Sequence, residues 1–257
     1  MILKHIDGAI GTITLDNDVK RNILSEALVN QVIAAIAEFV EQRVRCIVLR
    51  AKPGVKVWSA GHNVAELPEG GSDPLGWQDP LRMLIREIEN CPAPIIAMIE
   101  GTVWGGGCET VFACDIIVAT PESTFAATPA RHGVPYNISG LLTFLNAATL
   151  HIAKEMLFSA QPLPAARLER MGVINHVVPV EELETFTYAL AEAISRNAPL
   201  AISVMKEQMR ILAGAHSMSP QGFERVQGLR RVVYNSHDYT EGIRAFKEKR
   251  KPVFKGQ

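Results

Sequence analysis

The 257-residue chain carries no surplus of either charge: 26 Lys and Arg stand against 27 Asp and Glu. Without a basic field, nucleic acid is not expected as a partner. No apolar run approaches the length of a membrane span, and Met1–Asp7 lacks the charged-then-apolar opening of a signal peptide. A cytoplasmic protein with no membrane partner is the expectation. The four cysteines (Cys46, Cys91, Cys108 and Cys114) form no CxxC pair and have no histidine at ligand spacing. They read as reduced core thiols, with no disulfide framework and no metal. Also absent are the GxxxxGKS/T phosphate loop, the GxGxxG fingerprint, the GxSxG nucleophile elbow and the HExxH pair. Phosphate-loop, dinucleotide and serine-hydrolase chemistry therefore have nothing to rest on. No repeat of solenoid length and no low-complexity tract is present.

What remains is an ordinary globular composition, 47% hydrophobic and 21% charged, in a length that fits one domain plus an appendage. Ala9–Leu15 alternates like a strand. Ser25–Val40 sets Leu28, Val32, Ile36 and Phe39 on one helical face, with Ser25 as N-cap. Arg45–Arg50, Pro94–Ile99 and Cys114–Thr120 are short apolar runs of the buried-strand type. Glu66–Pro80, rich in Gly, Pro and Asp, reads as an irregular loop, and Leu81–Asn90 as a helix. From His151 onward the pattern turns helical. Strands alternate with helices over the first two-thirds, which predicts an α/β fold with a helical tail.

Two segments place glycine directly after an apolar strand: Ser59–Asn63 (SAGHN) and Trp104–Glu109 (WGGGCE). Glycine lets backbone approach a ligand closely. In the second segment the glycines stand between a strand and a helix, so free N–H groups and the positive end of the helix dipole meet at the loop. Amides from two such loops, aimed at one oxygen, would form an oxyanion hole. The triple glycine alone is equally compatible with a tight turn.

Ser59-Ala60-Gly61-His62, then Gly101-Thr102-Val103-Trp104-Gly105-Gly106-Gly107-Cys108-Glu109, Cys114–Ala119 and the ending Ala245–Pro252 together resemble the crotonase (enoyl-CoA hydratase/isomerase) superfamily. The resemblance runs from the first strand to the last residue. It implies a crotonase (ClpP-like) spiral of ββα units over residues 1–195, with a helical trimerisation region over 196–257 and trimers that often pair into hexamers. It implies an acyl-CoA substrate and no separate cofactor. By position, the backbone N–H groups of His62 and Gly106 would hold the thioester oxygen. Backbone near Ala60 would hold the adenine and pantetheine arm, and Lys20 or Arg21 would lie near the phosphates. Phe246 and Lys249, from a neighbouring subunit, would close over the coenzyme.

One departure from a hydratase is plain. Members that hydrate enoyl thioesters use two glutamates; the first corresponds to Glu109, but Ala130 stands at the second position, in Thr128-Pro129-Ala130-Arg131-His132. No carboxylate is then available there to act on water. Val134-Pro135-Tyr136-Asn137 replaces a glycine-rich turn and would project a phenol towards the acyl pocket. These features, with Glu66–Gly71 and Tyr239–Gly242, resemble the biotin-independent branch of the superfamily that decarboxylates methylmalonyl-CoA. The expected chemistry is loss of CO₂ to an enolate held in a backbone oxyanion hole, with Tyr136 orienting the carboxylate and Glu109 nearby. Tyr136 as a buried structural residue and Glu109 as a helix-start carboxylate are the bland readings. The rival functions are hydratase- or isomerase-type enolate chemistry on another acyl-CoA, and non-catalytic acyl-CoA binding.

Overall fold

The computed structural model of the chain describes residues 1–257. It opens with the antiparallel pair β1 (Ile2–Asp7) and β2 (Ile10–Leu15), followed by helix α1 (Glu26–Glu41). Three turns of one pattern follow, each made of two strands and a helix. The first is β3 (Cys46–Ala51), β4 (Val57–Ser59) and α2 (Pro80–Asn90). The second is β5 (Ile95–Ile99), β6 (Thr102–Trp104) and α3 (Gly106–Ala113). The third is β7 (Ile116–Ala119), β8 (Thr124–Ala126) and α4 (Ile138–Ala147). Then come α5 (Leu150–Ser159), β9 (Leu163–Pro164), α6 (Ala165–Arg170), β10 (His176–Val177) and α7 (Val180–Ser195). Three helices close the chain: α8 (Pro199–Ala213), α9 (Pro220–Tyr234) and α10 (His237–Lys247).

In every turn the first strand joins a six-stranded sheet, ordered β1-β2-β3-β5-β7-β10. The second joins a four-stranded sheet, ordered β4-β6-β8-β9. Each turn thus advances both sheets by one parallel strand, which is the spiral the resemblance implies. The apolar runs become central strands because both of their faces are covered. Cys46, Val48, Ile96, Met98 and Val118 pack against Leu183 and Ala191 of α7. The alternate residues, among them Ile47, Leu49, Ile95, Ala97 and Ile117, enter the main core with α1, α2 and α3.

The Ser25 hydroxyl accepts the Leu28 N–H at 3.4 Å, and the four apolar residues expected on the inner face of α1 are buried. The strands β1, β4, β6 and β8 were not legible as separate elements. Three of them are only three residues long, too short to show a period. Helical structure also begins earlier than expected, at Ile138, and the tail contributes one short strand to each sheet. The four cysteines are buried and free.

Residues 67–79 form neither helix nor strand, but the last two helices fasten them. The Tyr239 hydroxyl donates to the Pro68 carbonyl at 2.6 Å, Lys247 pairs with Glu69 at 2.6 Å, and Arg230 pairs with Asp73. Further along the chain, Lys206 ties α8 to the core by donating to the carbonyls of Ile88 and Ala93 and to Asp115. At the crossing of α10 with the Pro129–His132 turn, backbone meets backbone: a Cβ on Gly242 would lie 2.2 Å from the His132 carbonyl oxygen. Backbone cannot yield as a side-chain tip can. Gly242→Ala is therefore expected to cost about 1–3 kcal/mol, the usual range for overpacking, measured as a lowered midpoint in denaturant unfolding.

Candidate active site

The two glycine loops leave neighbouring strands. β4 and β6 pair in parallel, Val57 opposite Thr102 and Ser59 opposite Val103, so their C-terminal ends deliver residues 60–63 and 105–107 side by side. A second set of bonds fixes the first loop. The Ala60 N–H donates to the Arg21 carbonyl and the Leu24 N–H to the Gly61 carbonyl, both at 2.8 Å. Asn22, fully buried, donates to the Trp58 carbonyl, while the Ser59 hydroxyl donates to the Asn22 carbonyl and accepts the Gly61 N–H.

Glycine is required at position 61 on two counts. Its φ is +82°, and a Cβ there would lie 2.3 Å from the Trp104 carbonyl and 2.8 Å from the Gly106 nitrogen. The His62 nitrogen is also close, 3.1 Å from where a Gly106 Cβ would sit. Gly106 is the first residue of α3, so the helix ladder offers its N–H no acceptor. The His62 N–H has no backbone acceptor either. Two free amides therefore stand together at the positive end of α3, where negative charge is favoured.

Both residues, His62 and Gly106, line one cavity. Its apolar wall is Val64, Leu67, Leu75, Leu81 and Val134; its polar groups are Thr128, His132 and Tyr136. Tyr136 precedes Asn137, whose side-chain oxygen caps α4 by accepting the Gly140 N–H at 2.7 Å. The phenol ring lies edge-on to Phe144, with centroids 5.6 Å apart, and rests on Gly140, where a Cβ would come within 2.4 Å of its Cδ1. Burial pushes the phenol well above its ordinary value, so the hydroxyl stays protonated at neutral pH.

Two ion pairs back this wall. Glu109 is fully buried behind the cavity lining and pairs with Arg82 of α2; its second oxygen has no partner. Burial lowers the Arg82 guanidinium from its ordinary value. The His62 Nε2 bonds Asp79 Oδ2 at 2.8 Å, while Asp79 Oδ1 caps α2 through the Arg82 N–H. Burial alone would depress the imidazole; the hydrogen bond and charge of Asp79 outweigh it, and its pKa is raised. Asp79 and Arg82 escaped sequence analysis, as did Arg230 behind Tyr136, because their partners are remote in sequence. Thr128 lies in the Thr128–His132 stretch, where only the alanine at 130 carries a sequence signal.

Of the remaining predicted residues, Ala60, Arg21 and Phe246 are tied to the cavity lining, and nothing brings Lys20 or Lys249 against it. Ala60 lines the cavity, and Arg21 touches it through the bond just described; Lys20 and Arg21 are exposed. Phe246 stands edge-on to the His132 ring at 5.4 Å, and Lys249 is exposed just beyond α10. A neighbouring subunit was expected to bring these two to the coenzyme; within the single chain, α10 packs beside its own cavity, where Tyr239 and Ile243 bury against Val64 and Leu67. Ala130 sits in the turn between the lining residues Pro129 and His132, so no carboxylate enters there.

The chain belongs to the enoyl-CoA hydratase/isomerase family, whose model matches residues 5–257. It is 50% identical over 237 residues to the methylmalonyl-CoA decarboxylase of Escherichia coli K12, covering 92% of this chain and 91% of that one. A solved methylmalonyl-CoA decarboxylase in complex with 2-nitronate-propionyl-CoA superposes with a TM-score of 0.98 at 47% identity, over 100% of this chain and 98% of that chain. The probable mitochondrial enoyl-CoA hydratase of Dictyostelium discoideum is 29% identical over 96% of this chain and 88% of its own.

The raised His62 pKa makes stability depend on pH. The contribution of the His62–Asp79 pair is complete below pH about 6.5, the unfolded value, and is lost as pH rises through the higher folded value. Asp79→Asn keeps the helix cap but loses the charge. It is expected to destabilise the protein by about 1–3 kcal/mol at pH 6. Parallel melts of both proteins from pH 6 to 9 should show that gap narrowing.

Proposed function

We propose that this protein decarboxylates methylmalonyl-CoA to propionyl-CoA and CO₂ through an enolate held by the backbone N–H groups of His62 and Gly106. The observation that carries the reading is the meeting of two free amides at one cavity, on a chain half identical to a methylmalonyl-CoA decarboxylase. The bond from the α-carbon to the carboxylate breaks, its electron pair enters the thioester as an enolate, and CO₂ departs. A proton then adds to the α-carbon. Charge grows on the thioester oxygen only as that bond breaks, so fixed donors favour the transition state over the ground state. Each such donor is worth roughly 10²–10³ in rate. The thioester carbonyl is itself the electron sink, so the reaction asks for neither biotin nor a metal.

The protonated Tyr136 hydroxyl donates to the departing carboxylate and turns its C–C bond perpendicular to the thioester plane. Glu109, neutralised by Arg82 and set behind the wall, acts on the electrostatics of the site rather than as a free base. That arrangement also disfavours hydration, which needs two carboxylates at one water. Ala60 backbone, Lys20, Arg21, Phe246 and Lys249 frame the place for the coenzyme arm. Residues 1–195 form the spiral core and 196–257 the trimerisation region. In support, Leu200, Met209, Leu212, Leu229 and Val232 of α8 and α9 are 61–79% exposed, and so large an apolar face asks for a cover. Free, buried thiols suit a reducing cytoplasm; no helix is long and apolar enough to cross a membrane.

Mass spectrometry of separate incubations with methylmalonyl-CoA and crotonyl-CoA, with no biotin or metal added, tests the reaction. Propionyl-CoA from the first and no hydration of the second is expected; the reverse pattern would establish a hydratase. Tyr136→Phe should lower kcat/KM by about 10–100-fold, the scale of a lost orienting contact. Unchanged kcat/KM would remove Tyr136 from the mechanism. Sedimentation should show a trimer or hexamer, and a monomer would refute the role given to α8 and α9.

A further inference from the structure

Tyr136 reaches the cavity from a backbone that is held by a closed circuit of hydrogen bonds, and Arg230 of α9 completes it. The Arg230 Nε–H donates to the Tyr136 carbonyl at 3.1 Å. Its Nη1 donates to Asp73 Oδ2 at 2.7 Å, and Nη2 bonds the other Asp73 oxygen. Asp73 Oδ1 accepts the Leu75 N–H at 3.0 Å. The Leu75 carbonyl accepts Asn137 Nδ2 at 2.8 Å, and Asn137 is joined to Tyr136 by the peptide bond. Three parts of the chain meet in this ring: the irregular segment 67–79, the start of α4 and the middle of α9. Leu75 and Tyr136, which both line the cavity, are members of it.

We propose that Arg230 is a positioning residue for decarboxylation, holding the Tyr136 phenol and the Leu75 wall in register across the acyl cavity. The inference rests on the reading of Tyr136 as the group that orients the departing carboxylate. Arg230 is 5% exposed, so its charge is tolerable only with every face of the guanidinium engaged. Its planar fork meets a carboxylate with two nitrogens and still presents Nε to a carbonyl at the side. A lysine ammonium, a single point on a flexible stem, cannot span both. The ring of Tyr136 is already stopped by Gly140 and Phe144. With the carbonyl of the same residue fixed from the other side, the hydroxyl is left little freedom to wander. Arg230 does not line the cavity that His62 and Gly106 border; it lines a second one, together with Leu75 and Asn137.

The test is a double-mutant cycle on the full-length protein, reading kcat, KM and the affinity for the product propionyl-CoA. Arg230→Lys should lower kcat for methylmalonyl-CoA about 10–100-fold, the cost of an ångström-scale misplacement. KM and propionyl-CoA affinity should stay within about threefold, because the coenzyme arm is gripped elsewhere. In a Tyr136→Phe background, the same change should cost less than about threefold more, since the two residues act as one unit. Asp73→Asn keeps the side-chain size and one acceptor, and it should show a milder kcat loss with the same non-additivity. It carries the test if Arg230→Lys fails to fold. If Tyr136→Phe impairs the enzyme but the Arg230 and Asp73 losses are undiminished in that background, Arg230 is a general strut and the inference fails alone. A loss confined to KM has the same meaning. If Tyr136→Phe itself leaves kcat untouched, the reading of Tyr136 falls, and the inference with it.

Discussion

The separation between the loop after β4 and the loop after β6 is the constraint on which the rest of this molecule turns. Gly61 has no side chain, and that lets its Cα sit against the Trp104 carbonyl and the Gly106 nitrogen. Any Cβ would force the loops apart and separate the His62 and Gly106 amides. The closeness is not achieved by the loops alone. It is inherited from two adjacent parallel strands, each the second strand of its own ββα turn, and from Asn22, Ser59 and Trp58, which pin the first loop from behind. Repetition in the fold thus becomes convergence at the site.

Around this backbone feature the carboxylates are kept out of the lining and made to brace it. Asp79 joins the start of α2 to His62; Arg82, three residues on, neutralises Glu109. A bare carboxylate facing the cavity would repel an anionic substrate, whereas a paired one behind the wall leaves the positive end of α3 to dominate. The same logic extends outward. Arg230, Tyr239 and Lys247 all reach from the last two helices to the segment 67–79, so the wall containing Leu67 and Leu75 is set by residues more than 150 positions later. The helical tail therefore belongs to the cavity as much as to any surface.

Much of the fold was legible where a local rule operates. The buried strands announce themselves as apolar runs, and α1 by its period of apolar residues behind Ser25. The assignment of His62 and Gly106, and the meaning of the alanine at 130, came instead from the resemblance to the crotonase superfamily that the glycine loops carry. The short strands β4, β6 and β8 were hidden, because three residues make no pattern. Arg82, Asp79 and Arg230 were hidden for a different reason. An arginine in a polar stretch looks like a solvated one until its partner, 27 or 157 residues away, is placed beside it.

By itself, the sequence determined the longer elements, the family and the chemistry the glycine loops permit, since these depend on residue type at short range. Only the tertiary structure decided that α10 packs beside its own chain's cavity, that Glu109 is paired and withdrawn, and that Arg230 stands behind Tyr136. Each of those outcomes is a choice among long-range partners. Such choices are settled by which buried charges and carbonyls can satisfy one another once the chain is packed, and no local pattern encodes them.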